Sequence, residues 1–118
     1  MANLHRGEIA AVIDGREHRL CLTLGALAEL ETSFAVNSLP ALVAQLSKGV
    51  LTSRQVCAII AAGLHGGGST LSLQEVASMH FEDGASGMTD IVARLLAATF
   101  PASGIAENTA GPVTPNPL

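Results

Sequence analysis

The sequence predicts an α+β fold, an N-terminal two-stranded antiparallel hairpin followed by a compact bundle of about five short helices. Three observations predict it. Two apolar-rich segments flank Asp14-Gly15, a dipeptide suited to a two-residue type I′ turn. Further on, capping residues recur just before stretches with apolar residues at helical period. From Pro101 the chain turns to proline, glycine and small polar residues with no period, the composition of a flexible segment. One α+β domain over 1–100 and a flexible Pro/Gly-rich C-terminal tail over 101–118 follow as expectations, and 118 residues suit a single small core.

The hairpin spans Gly7 to Ile13 and Arg16 to Thr23. A two-residue turn sets Ile13 opposite Arg16, Ala11 opposite His18 and Ile9 opposite Leu20. Ile9, Ala11, Ile13, Leu20 and Leu22 then share one face, while Glu8, Val12, Glu17 and Arg19 lie on the other. A lone hairpin is marginal in water, so helices or another chain must cover its apolar side. Its edges are possible docking surfaces.

Thr23 opens a first helix to about Phe34, with Leu27, Leu30 and Phe34 on one face and Leu24 leading into it. Asn37-Ser38 before Leu39-Pro40 opens a second, with Leu39, Leu42, Val43 and Leu46 inward and Lys48-Gly49 at its end. The third, from Leu51 to Gly68, is the organising element. Thr52 and Gln55 form a capping box, and Val56, Ile59, Ile60, Gly63 and Leu64 share a stripe that Ala58, Ala61 and Ala62 broaden. Three glycines after His65 stop it and begin a mobile connector. Ser72 with Glu75 is a second capping box for a helix to about His80 that turns Leu73, Val76 and Ala77 inward. The segment FEDGASG reads as a loop. The last helix then carries Met88, Ile91, Val92, Leu95 and Leu96, has Asp90 in its first turn and ends at Pro101.

Composition narrows function by exclusion. Hydrophobic content is 48%, charged content 14% and mean hydropathy +0.43, so part of the apolar surface is expected to serve a partner or a homo-oligomer. The net charge is −4, and the acidic excess falls beyond residue 71, where Glu75, Glu82, Asp83, Asp90 and Glu107 face Arg94 alone. With no Trp or Tyr there is neither a basic track nor a stacking platform for nucleic acid. No apolar run matches a membrane span and the N-terminus lacks a secretory pattern, so cytoplasmic synthesis is expected. Cys21 and Cys57 read as small buried hydrophobes rather than a disulfide.

No constellation of reactive residues emerges. GLHGGGST has two glycines at phosphate-loop spacing, but the lysine is missing and the loop leaves a helix, not a strand. His5, His18, His65 and His80 lack compact zinc spacing, and His65 and His80 read as last-turn residues placed by the helix dipole. Glu29/Glu31 and Glu82-Asp83 project to water. No enzyme, cofactor or metal is expected. Arg54 is either a solvated charge or, with Lys48, a contact at the rim of a partner surface. Val56, Ile60 and Leu64 complete that candidate surface, with Asp90, Glu82 and Asp83 as opposite-sign candidates within an oligomer.

The run RGEIAAVIDGREHRLCLTLGALAELETSF, then LTSRQVCAIIAAGLHGGG and the closing IVARLLAATFP together resemble the small tail-region protein family of gene transfer agents and siphophage-like prophages. The resemblance covers about residues 6 to 101, and its most specific words are Arg6-Gly7-Glu8, Leu22 to Leu27 with Glu29-Leu30-Glu31, and Leu95-Leu96 with Thr99-Phe100. That family carries two labels, tail tube protein and tail assembly chaperone. The resemblance implies a hairpin plus helical bundle, no catalytic residues, and a partner that is the tail tape measure protein or another tail component. Chemistry favours the chaperone label, because one hairpin is little strand for a ring-forming sheet. The alternative is a structural tail subunit retained in the particle.

Overall fold

The computed structural model describes residues 7–100. The chain runs β1 (Glu8–Ile13), β2 (Arg16–Cys21), α1 (Leu24–Ser33), α2 (Leu39–Ser47), α3 (Ser53–Gly66), α4 (Leu73–Ala77) and α5 (Gly84–Thr99). This is the predicted hairpin and five-helix order. The expected tail from Pro101, like His5 and Arg6, lies outside the described residues.

The hairpin has the register that its turn dictates, with Ile13 opposite Arg16 and Ile9 opposite Leu20. Asp14 and Gly15 take φ of 58° and 77°, the two left-handed residues that a type I′ turn requires. Ile9, Ala11, Ile13, Leu20 and Leu22 are all buried, while Val12 faces water opposite Glu17.

Helix α3 packs against β2, α1, α4 and α5, and every residue from Ala58 to Leu64 is buried. Ile59, Ile60 and Leu64 are at most 1% exposed, each contributing about 2 kcal/mol from apolar burial. Its start is the expected capping box: the Gln55 amide donates to Thr52 Oγ1 at 3.1 Å and the Thr52 amide to Gln55 Oε1 at 2.9 Å.

The end of α3 differs from the expected mobile hinge. A methyl group at Gly66 would stand 1.8 Å from the Cys21 carbonyl oxygen, and one at Gly67 would stand 1.9 Å from that of Arg19. These glycines let the helix terminus lie directly on the outer edge of β2. The connector then folds back, with the Gly68 amide donating to the His65 carbonyl and the Ser69 amide to that of Leu64. The outer edge of β1 is covered as well. Arg94 Nη1 of α5 donates to the Ala10 carbonyl at 3.0 Å, the Asp14 amide donates to the His80 carbonyl, and Ile13 bridges to Phe81. Neither edge is therefore the open docking surface the sequence suggested.

Helix α1 is capped by Thr23, whose Oγ1 accepts from the Ala26 amide. It closes in a Schellman arrangement, with the Val36 amide donating to the Glu31 carbonyl and the Ala35 amide to that of Thr32. Ala35 occupies the left-handed position at φ 55°. Leu24 does not join the inner face; it is 80% exposed, while Ala26 and Leu27 of the same turn are buried. Helix α2 buries only Leu42 and Leu46, so its stripe is narrower than expected.

The largest departures lie between α4 and α5. Helix α4 stops at Ala77, short of His80, because the chain must turn to bring Phe81 against Ile13. With so short a helix only Val76 reaches the core, and Leu73 and Ala77 remain exposed. The expected loop at FEDGASG is largely helical: Asp83 and Gly84 take positive φ and α5 begins at Gly84. Gly87 packs under the Glu82 carbonyl at a distance no side chain would tolerate. Asp90 consequently sits beyond the first turn, where it accepts from Arg94 Nε at 3.1 Å.

Three substitutions test the backbone at these helix ends. Gly66→Ala or Gly67→Ala is expected to lower stability by about 2 kcal/mol, since the colliding atom is backbone. Ala35→Gly is expected to raise it by about 1 kcal/mol by relieving the left-handed alanine. Urea unfolding followed by circular dichroism checks all three.

Candidate functional site

Helices α3, α4 and the first turns of α5 leave a groove of about 660 Å³ between them. The first half of α3 supplies Arg54, Val56, Cys57 and Ile60, α4 supplies Leu73, Val76 and Ala77, and α5 supplies Ala85, Met88 and Thr89. Leu51 extends one wall. Met79 and Phe81, from the segment that bridges to β1, extend the other. The groove exists because α4 is too short to cover the α3 stripe, leaving Val56, Met79, Phe81 and Met88 only half-buried.

Arg54 is the single charged residue of this lining. It sits in the first turn of α3, which has no acidic residue, and it makes no ion pair or hydrogen bond among the described residues. A cation at that end is disfavoured by the helix dipole. Cys57 lies in the wall rather than in the core, with Sγ 3.8 Å from the Leu73 carbonyl oxygen. Burial pushes its thiol above the usual range, which keeps it protonated and a poor nucleophile at neutral pH. Cys21 is half-buried and forms no disulfide with Cys57.

Of the residues proposed from sequence as a partner surface, the structure brings Arg54, Val56 and Ile60 together in this groove. Ile60 forms its floor at 1% exposure. Leu64 lies deeper, with no exposed surface, and is part of the core. Lys48 caps α2 and is exposed away from the lining. Sequence reasoning missed Met79, Phe81 and Met88 as groove residues. Met88 lies on the stripe predicted for the last helix and Met79 at the edge of the preceding one, while Phe81 opens the segment predicted as loop.

His65 serves a structural contact. With both ring nitrogens protonated, Nδ1 donates to Glu29 Oε1 at 2.9 Å and Nε2 donates to the Leu71 carbonyl, tying α3 to α1 and to the connector. The hydrogen bond to Glu29, then that to Leu71, raises its pKa against a smaller opposing effect of burial. His80 stands beyond α4, exposed, with Nδ1 3.7 Å from Asp14 Oδ1. It is therefore not a last-turn residue. Among the described residues no group of three or more His, Cys, Asp or Glu side chains could hold a metal ion, and no helix is long and apolar enough to cross a membrane.

Comparison with known families supplies the context. A family model described as "Phage tail tube protein, GTA-gp10" matches residues 6–102, which includes every element above. The chain belongs to this family. Comparison with curated proteins and with solved structures gives no significant match. Membership in the phage tail tube and assembly chaperone family carries a non-enzymatic, tail-related role and interaction with tail components.

Two measurements follow from the geometry. Ile60→Asp would bury an unpartnered carboxylate and is expected to cost about 4 kcal/mol or more, abolishing the fold by circular dichroism. The raised pKa of His65 makes its contribution complete below about pH 6.5, the unfolded value, and lost as pH rises through the higher folded value. Stability should therefore decline between slightly acidic and mildly alkaline pH, and His65→Gln should remove that part of the decline in thermal melts.

Proposed function

We propose that the protein is a tail assembly chaperone that holds the tail tape measure protein, or another unassembled tail component, in an assembly-competent state in the cytoplasm. The observation that carries this reading is an open apolar groove on a molecule whose only described sheet is covered at both edges. A subunit that builds a tube through continuous sheet needs free strand edges to pair with its neighbours. A chaperone needs an apolar surface that accepts a client's side chains and releases them when the client packs elsewhere. The methionines at 79 and 88 suit such a surface, since unbranched thioether side chains adapt to different client shapes.

Co-expression with the tape measure protein, followed by size exclusion with light scattering, tests the proposal. The expected outcome is a small free species that shifts into a defined complex and keeps the tape measure protein soluble. Rings or tubes formed by this protein alone would overturn the proposal in favour of a structural subunit retained in the particle.

A further inference from the structure

We infer that the groove among α3, α4 and α5 seats one amphipathic helix of a partner, with a carboxylate beside its apolar stripe that pairs with Arg54. The partner's identity as a tail component rests on the function proposed above, whereas its chemistry rests on the groove itself.

The helical form of the occupant follows from what the walls offer. The walls are mostly helical, and beyond the terminal turns a helix bonds its backbone groups internally, so the groove is met chiefly by side chains. An extended segment pressed into it would lose water from its own amides and find few backbone partners, a cost that a helix avoids by bonding within itself. An extended partner would seek a strand edge, and the edges of this sheet are covered. Size agrees with this choice. A volume of about 660 Å³ accepts a few side chains, as the short apolar ridge of a helix would present at i, i+3, i+4 and i+7, and not a folded domain.

The acidic flank follows from charge. Arg54 is the only charge in the lining, is exposed and lacks a partner among the described residues. Its position at the positive end of α3 works against the stability of the helix, so the fold gains nothing from a cation there. The carboxylates of α4 and α5 do not answer it. Glu75 folds back onto the Ser72 amide in its capping box, and Asp90 is engaged by Arg94. A partner's carboxylate at this rim meets both Arg54 and the helix dipole, which places the acidic flank of the partner helix at the start of α3.

The test uses the full chain and two synthetic peptides of equal length, each with a Leu/Ala stripe at helical spacing, one flanked by Glu and the other by Lys. Fluorescence anisotropy at low salt is expected to give about threefold tighter binding of the Glu peptide. The peptide should gain helical circular dichroism on binding. Arg54→Glu should reverse the preference, and Met88→Gln should weaken both peptides alike, with circular dichroism confirming that each variant folds. Failure of both peptides to bind, equal binding of the two, binding without helix formation, or a preference unchanged in Arg54→Glu would each overturn the inference. Dimerisation of the free protein that is lost in Arg54→Glu would give the groove to a second copy and overturn it too. Peptide recognition without retention of the tape measure protein sinks the assembly role alone. Retention without peptide recognition sinks the groove assignment alone.

Discussion

The architecture depends on one close approach, that of the last turn of α3 to the backbone of β2. Gly66 and Gly67 lie where any side chain would strike the carbonyls of Cys21 and Arg19. Without that contact α3 would ride outward from the hairpin by the width of a side chain. Gly63 belongs to the same constraint one turn earlier, since its missing side chain leaves room for Leu20 and Leu95. Three glycines spaced along one face thus bring helix, hairpin and α5 to a single packing distance. The apolar face of the hairpin becomes a wall of the core in consequence, and a two-stranded sheet that would be marginal alone is stabilised by what it covers.

What was legible in the sequence is what local chemistry decides. Asp14-Gly15 sets its own turn, and the turn sets the register of every residue on either side. Thr23, Ser38, Thr52 and Ser72 each cap the helix that follows within three residues. The part that could not be read is settled by distant contacts. Helix α4 ends early because Phe81 must reach Ile13, and nothing near Met79 announces a partner that far away in the chain. The first turn of α5 was hidden because Gly84-Ala85-Ser86-Gly87 has loop composition, while Gly84 supplies a positive φ and Gly87 fits against the Glu82 carbonyl. The three glycines after His65 carry the same ambiguity, since freedom of backbone and closeness of packing call for the same residue.

The candidate site divides along the same line. The α3 stripe was visible as a periodicity, and it supplied Arg54, Val56 and Ile60 to the groove. Periodicity alone cannot say which part of a stripe is covered by the next helix, so Leu64 looked equivalent to Val56 although one is core and the other wall. The missing residues come from a short helix and an irregular segment that enclose the groove only after the fold is complete. Family membership agrees with this picture of a small, non-catalytic molecule made for contact with other tail proteins.

Covering both edges of the hairpin also governs behaviour at high concentration. Exposed strands act as templates on which further chains stack into cross-β aggregates. Here one margin of the sheet meets helix backbone, while the other is closed by a guanidinium and by the chain's own bridging segment. The described hairpin therefore offers little purchase for runaway stacking, because neither margin presents a free row of amides and carbonyls to an incoming strand.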